Sequence, residues 1–88
     1  MNENEKRIIY AVKWTEVFEG ETFTDVDVYD TEEKARKAVR DKIFRWTSMD
    51  TFQNAVINSN LRAEKPYWKI DNDEGEMRRA DILKREIQ

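Results

Sequence analysis

The chain has 88 residues, of which 40% are charged and 39% hydrophobic, and its formal net charge at pH 7 is −3. It contains neither cysteine nor histidine, which excludes disulfides, thiolate zinc sites and every catalytic arrangement that uses either side chain. No apolar run is long enough to span a membrane and no signal-peptide pattern is present, so we expect one cytoplasmic domain over residues 1–88 with a modest core.

The first part of the chain predicts a β-hairpin. Residues 1–6 are polar, and we expect them to be frayed. Residues 8–18 are rich in strand formers, residues 19–21 are a turn signal, and residues 22–29 form the return strand. With a loop of two or four residues, one side is mostly aromatic and acidic: Tyr10, Val12, Trp14, Phe18, Phe23, Asp25, Asp27 and Tyr29. The other side is mainly aliphatic: Ile9, Ala11, Lys13, Val17, Val26 and Val28.

The two sides of this hairpin compete for one covering element. The sequence leaves open which side the helix covers. One possibility is the aliphatic side, which offers a smooth surface for the small residues of a helix. The aromatic and acidic side would then be open, as a candidate surface for a partner. The alternative is that the aromatic rings form the core and the aspartates lie at its rim.

Residues 30–46 predict an amphipathic helix. Asp30 or Thr31 can cap it, and if Asp30 is the cap, Glu33 completes a capping box. The predicted buried stripe has helical spacing: Ala35, Ala38, Val39, Ile43 and Trp46. Lys42 lies beside this stripe, where its alkyl stem can pack while its ammonium group reaches water.

The opposite side of the helix carries a basic strip that includes one aromatic ring. The strip consists of Arg36, Lys37, Arg40 and Phe44. Such a composition is typical of a site for nucleic acid or for an acidic partner. The alternative is a solvated helix surface on which the following segment covers Phe44.

The second half of the chain predicts a short helix and a second hairpin. Met49, Phe52 and Val56 have helical spacing, so we expect a helix over residues 49–59, either separate or as a bent continuation of the first helix. Residues 67–71 and 76–86 predict a β-hairpin around an acidic turn, with a helix as the alternative for the last segment. The predicted fold class is α+β, with a small antiparallel sheet of two hairpins packed on one or two helices.

The charges are segregated along the chain. Residues 14–33 contain eight acids and no lysine or arginine, whereas residues 34–45 contain six bases and one acid. Segregation on this scale gives a small domain electrostatic fields of opposite sign, unless the two blocks neutralise one another locally.

The sequence offers little catalytic equipment. Residues 71–75 resemble the start of a calcium loop, but the glycine comes one position early and no glutamate follows at the twelfth position. Asp25 and Asp27 share one side of a strand, yet a chain of this length has little room for a sugar cleft beside them. We therefore predict no enzymatic activity, no cofactor and no metal.

The first strand-to-helix junction resembles a known pattern. The segment VYDTEEKA of residues 28–35 is similar to the strand, Thr-x-Glu-Lys-Ala, helix pattern of many small phage and mobile-element proteins, including some anti-CRISPR-type inhibitors. The resemblance covers residues 8–46 and carries over no functional residue. It implies a protein in the cytoplasm of a bacterial host that acts by binding and blocking.

These observations favour an acidic module that binds a basic protein surface, such as the nucleic-acid-binding surface of a host defence complex. The residues assigned to this contact are Tyr10, Trp14, Glu16, Asp25, Asp27, Tyr29 and Trp68. One alternative is a nucleic-acid-binding or regulatory module that uses the basic strip. Another is a homo-oligomeric structural protein whose exposed strand edge pairs with a second copy. The sequence leaves the oligomeric state open.

Overall fold

The fold is α+β, with one five-stranded antiparallel sheet and one α-helix in residues 7–87, the part of the chain that the computed structural model describes. The elements are β1 (Arg7–Phe18), β2 (Glu21–Tyr29), α1 (Glu32–Thr47), a 3₁₀ turn (Asp50–Phe52), β3 (Val56–Asn60), β4 (Tyr67–Asp71) and β5 (Met77–Ile87). The strand order is β2-β1-β5-β4-β3. Residues 1–6, for which we predict fraying, lie outside the described residues.

Both predicted hairpins are confirmed. β1 and β2 pair antiparallel without interruption from Phe18 opposite Glu21 to Tyr10 opposite Tyr29. Their two-residue turn uses Glu19 and Gly20, both with positive φ (51° and 78°), as the twist-matched hairpin turn requires. β4 and β5 form the second hairpin, so the helical alternative for the last segment is wrong.

The helix begins with a side-chain cap at Thr31. Its hydroxyl accepts a hydrogen bond of 3.1 Å from the backbone N–H of Lys34. Asp30, the other candidate cap, instead forms an ion pair of 2.9 Å with the Lys34 ammonium. Glu32 and Glu33 place negative charge in the first turn, where the helix dipole stabilises it.

The second helix predicted over residues 49–59 is wrong. Over these residues the structure instead has a 3₁₀ turn, Asp50–Phe52, followed by the edge strand β3. Met49 and Phe52 are three residues apart, a spacing that a 3₁₀ turn satisfies as well as an α-helix does. Val56 and Ile57 are β-branched, which favours a strand over a helix. They pair with residues of β4, so their backbone is part of the sheet.

The core lies between α1 and one side of the sheet. The fully packed cluster consists of Val12, Trp14, Ala35, Val39, Trp46, Phe52, Trp68, Ile70, Ala80 and Ile82. At its centre, the Trp46 ring is stacked on Trp68 at a centroid distance of 5.8 Å and meets Trp14 edge-on at 6.0 Å. The helix stripe of residues 35–46 is therefore the buried side, as its spacing predicts.

Of the two arrangements that the sequence leaves open, the one in which α1 covers the aliphatic side of the hairpin is wrong. Tyr10, Val12, Trp14 and Tyr29 face the helix. α1 does not cover the aliphatic side, on which Val26 and Val28 are more than half exposed while Ala11 is buried. This is the alternative in which the aromatic rings form the core.

The central strands explain why the aromatic side is buried. The register places Ile82 beside Val12 and Ala80 beside Trp14, and it places Trp68 beside Ala80. All these apolar residues lie on the aromatic side. The aliphatic side instead continues onto charged residues of β4 and β5, which form the ion pairs Lys69–Asp71 and Arg79–Asp81. Burying that side would remove these charges from water, which is unfavourable.

We expect Trp46→Ala to lower the free energy of unfolding by about 3–5 kcal/mol, because it removes the ring between two others in the core. Phe44→Ala is the matched control, since Phe44 is two residues away on the same helix and is 76% exposed. That variant should change the stability by less than about 0.5 kcal/mol. Urea unfolding followed by circular dichroism measures both, and equal effects would contradict this description of the core.

Candidate protein-binding edge

Strand β2 is one of the two edges of the sheet. It pairs with β1 on one side, and within residues 7–87 no strand pairs with it on the other. Eight of its nine residues are exposed, and Tyr29 is half-buried. The predicted acidic block thus forms a long accessible strand.

The hairpin turn determines which backbone groups of β2 point away from β1. In a hairpin with a two-residue loop, the residues flanking the loop form a hydrogen-bonded pair, and bonded and non-bonded pairs then alternate. Because Phe18 and Glu21 flank the loop, the odd-numbered residues of β2 bond to β1. The outward N–H and C=O groups belong to Thr22, Thr24, Val26 and Val28.

One hydrogen bond at the edge is consistent with this alternation of inward and outward backbone groups. The carboxylate of Asp25 accepts a bond of 2.9 Å from the outward N–H of Val26. The Asp25 side chain therefore lies along the free edge of the strand.

The two sides of β2 differ in chemistry. On the helix side, the residues along β2 are Glu21, Phe23, Asp25, Asp27 and Tyr29, and residues two apart along a strand are separated by roughly 6.7 Å. The open side carries only threonine and valine: Thr22, Thr24, Val26 and Val28. None of the three acids forms an ion pair with any residue among 7–87.

The four aromatic residues assigned to partner binding belong to the core instead. Trp14 and Trp68 are 7% and 5% exposed, and Tyr10 and Tyr29 pack against the same cluster. Their rings stabilise the contact between sheet and helix. Without a rearrangement of the core they are not accessible to a partner.

Two of the three assigned acids have structural partners. Asp27 accepts a hydrogen bond of 2.8 Å from the indole N–H of Trp14. Glu16 forms an ion pair of 2.8 Å with Arg78, whose guanidinium lies 5.3 Å above the Phe52 ring. Asp25 has no side-chain partner within the described chain other than the backbone N–H of Val26.

Glu21, Phe18 and Phe23 were not assigned to the site from the sequence. Glu21 continues the acidic side of β2, and Phe23 lies between Glu21 and Asp25 on that same side. Phe18 and Phe23 are 45% and 52% exposed near the turn. The sequence signal for these residues is the alternation of side chains along a strand, which places Glu21 and Phe23 on the same side as Asp25 and Asp27.

The alternative basic strip is only partly available. Arg36 donates a hydrogen bond of 2.8 Å to the carbonyl oxygen of Leu61, and Lys37 forms an ion pair of 3.0 Å with Asp41. Arg40 and Phe44 are exposed. The following segment does not cover Phe44, and Lys42, as its place beside the stripe predicts, lies over a ring of the core at 5.2 Å from the Trp14 centroid.

The turn that resembled a calcium loop is a hairpin turn. The Asn72 side-chain oxygen accepts bonds of 2.9 Å from the backbone N–H groups of Glu74 and Glu76, and Gly75 takes a positive φ of 85°. Within residues 7–87, no group of three or more acids is arranged to hold a metal ion.

Burial and charge shift the pKa values of Tyr29, the last residue of β2, and of Asp30, which follows it. Burial, and secondarily the charge of Asp27, raises the pKa of Tyr29. A hydrogen bond from Lys34, reinforced by its positive charge, lowers the pKa of Asp30. Both groups lie at the junction of β2 and α1, where their ionisation depends on the charges of the neighbouring Asp27 and Lys34.

Comparisons of the chain with protein families, curated proteins and solved structures gave no match. In the part of the chain that the structure describes, no helix combines the length and the apolar character needed to cross a membrane.

We expect Asp27→Asn to lower the pKa of Tyr29, because it removes the negative charge that opposes ionisation, while Asn can still accept the bond from Trp14. The pKa should stay above its ordinary value, since burial is the larger cause. Titration of tyrosinate absorbance, with Tyr29→Phe to assign the signal, measures the change. An unchanged pKa would contradict the proposed coupling.

The sign of the effect on stability follows from the direction of the shift. In the folded chain the pKa of Tyr29 is raised above its ordinary value of 10.0. The contribution of Tyr29 to the free energy of unfolding is therefore fully present below pH 10.0 and is lost as the pH rises through the folded pKa. Asp27→Asn should therefore reduce the alkaline loss of stability, and Tyr29→Phe should remove this contribution.

Proposed function

We propose that this chain is a non-enzymatic binding module whose acidic edge strand occupies a basic surface of a protein partner. The observation that carries the proposal is the row of Glu21, Asp25 and Asp27 on the accessible strand β2. No base within residues 7–87 neutralises this row through an ion pair. A row of carboxylates attracts lysine and arginine and speeds encounter with them.

The distribution of the bases supports the proposal. Among residues 7–87, six bases form ion pairs away from β2: Lys34, Arg36, Lys37, Lys69, Arg78 and Arg79. Strand β2 itself contains no lysine or arginine. The acidic and basic blocks of the sequence therefore neutralise one another only in part, and the negative field is concentrated along β2.

The partner contact differs from the one expected from the sequence. The buried aromatic rings are replaced by Phe23, and by Phe18 near the turn, as exposed apolar groups among the acids. An aromatic ring surrounded by charged groups is a common anchor at protein interfaces. The contact then consists of Glu21, Phe23, Asp25 and the outer face of Asp27.

The resemblance of residues 8–46 to small phage proteins supports a particular class of partner. We place the target among the nucleic-acid-binding surfaces of a bacterial defence complex, which the module blocks in the host cytoplasm. Such surfaces carry the lysine and arginine groups that otherwise neutralise phosphates.

We expect a displayed library of bacterial protein domains, selected on the immobilised chain, to be enriched in domains with basic surfaces. The double variant Glu21→Lys/Asp25→Lys should reduce this enrichment about tenfold, equivalent to about 1.4 kcal/mol, because attraction becomes repulsion. It leaves the bond between Asp27 and Trp14 intact.

The matched control is Asp73→Lys/Glu74→Lys, which makes the same change in net charge in the exposed β4–β5 turn. It should retain the enrichment, and added salt should slow association with the selected domains. Selected domains without an excess of lysine and arginine, or equal losses in the two double variants, would overturn the proposal.

One observation favours the alternative of nucleic-acid binding: Phe44 is 76% exposed and lies one helical turn from the exposed Arg40. If the helix binds nucleic acid, a mixed-sequence single-stranded oligonucleotide should bind at micromolar protein and weaken with salt. Arg40→Glu should abolish that binding. Because Arg36 and Lys37 form contacts within the chain, we expect no such binding. A fluorescence titration with the oligonucleotide tests this.

A further inference from the structure

The outer edge of β2 is a row of hydrogen-bonding groups without a strand to receive them. The outward N–H and C=O groups of Thr22, Thr24, Val26 and Val28 point away from β1. Within residues 7–87, the one bond found at these groups is the Asp25 carboxylate on the Val26 N–H. An exposed edge of this kind is a template for another strand.

The two edges of the sheet are unequal. β3, at the far edge, has five residues, whereas β2 has nine and pairs with β1 through all of them. A long edge offers more backbone bonds to an added strand than a short one does. β2 is therefore the better docking site of the two.

We propose that an extended segment of the partner adds to the sheet as a sixth strand along β2. This inference rests on the proposed function and adds the mode of binding and the chemistry of the bound segment. The partner's lysine or arginine side chains lie on the helix side, beside Glu21, Asp25 and Asp27. Its alternate side chains are apolar and lie on the open side, beside Val26 and Val28.

The geometry of an antiparallel pair supports this pattern. Side chains directly opposite each other on neighbouring strands have Cβ atoms roughly 5 Å apart, close enough for ion pairs on one side and aliphatic contacts on the other. A strand also alternates its side chains with a period of two, as β2 does. The bound segment is thus a run of alternating basic and apolar residues.

A second copy of the chain does not fit this edge. Antiparallel pairing of β2 with itself would place the two acidic rows beside each other on the helix side of the joined sheet. Like charges opposite each other on adjacent strands are destabilising. The same acids that favour a basic strand therefore disfavour self-pairing.

Asp25 has a defined role in this mode of binding. In the unbound chain its carboxylate covers the Val26 N–H, which protects the middle of the edge. A partner strand supplies a carbonyl oxygen to that N–H, and the released carboxylate then faces a lysine or arginine of the partner. The group that protects the free edge becomes a contact of the bound one.

The test uses two synthetic peptides of about eight residues, long enough to span most of β2. The first alternates lysine and valine. The second has the same sequence and charge, but carries N-methyl groups on the alternate backbone nitrogens that would donate to β2. Titration calorimetry measures the affinity of each for the full chain, for Glu21→Lys/Asp25→Lys and for Asp73→Lys/Glu74→Lys.

We expect the first peptide to bind the full chain and the control variant, and the methylated peptide to bind on the order of tenfold more weakly or not at all. Hydrogen exchange followed by NMR should show added protection at the N–H groups of Thr22, Thr24 and Val28. The odd-numbered N–H groups, which already bond to β1, should gain less.

Val26→Pro provides a second test on the protein itself. It removes an outward N–H and leaves the bonds to β1, a substitution that edge strands tolerate. It should weaken the binding of the unmethylated peptide. The binding of the methylated peptide, which is already weak, should not change. If this variant does not fold, the comparison of the two peptides still decides the question.

Two negative results have different meanings. If both peptides bind equally and both depend on Glu21 and Asp25, strand addition is wrong while the acidic edge function stands. If neither peptide binds in a way that depends on those acids, the proposed function and strand addition are both overturned.

Discussion

The contact of Trp46 with Trp14 and Trp68 determines which side of the sheet is buried. One helix must cover the apolar side chains of several strands, and three large rings fill the space near its C-terminal end. Small residues, Ala35 and Val39, allow close approach near the other end. Since side chains alternate along each strand, burying Trp14 sends the neighbouring residues of β1 to the open side. The acids of β2 then follow from the hairpin register.

The hydrogen bond between Asp27 and Trp14 connects this core to the edge strand. One carboxylate of the acidic row is thereby attached to a ring that the helix holds in place. The neighbouring Tyr29 also packs against the core, so β2 is anchored at the end where it enters the helix. A partner that binds a pre-ordered strand loses less conformational entropy than one that must order it. In the proposed mode of binding, the core therefore contributes to recognition without touching the partner.

The sequence predicted most elements but left open which side of the hairpin is buried. Turn residues and capping residues act locally. The sequence alone therefore predicts the hairpin turn at Gly20, the helix start at Thr31 and the second hairpin. The choice of side depends on Trp68 and Ala80, which reach Trp14 only through strand pairings that are distant in sequence. The same limitation misassigned the tryptophans as anchors, because a ring's exposure depends on what packs on it. That Asp25 and Asp27 share one side of β2 follows from the alternation of side chains along a strand, and the structure confirms it.

In the proposed mode of binding, the free backbone edge attracts any extended strand, whereas the acidic row repels acidic strands and attracts basic ones, so the edge is selective. A long uncharged edge would pair with any extended chain, including its own copy. With carboxylates on one side, pairing is unfavourable for an acidic strand and favourable for a basic one, so the difference in affinity comes from both repulsion and attraction. Asp25 strengthens this selectivity, because an incoming strand must offer its carboxylate a replacement for the Val26 N–H. A lysine or arginine provides that replacement, whereas an apolar or acidic side chain does not.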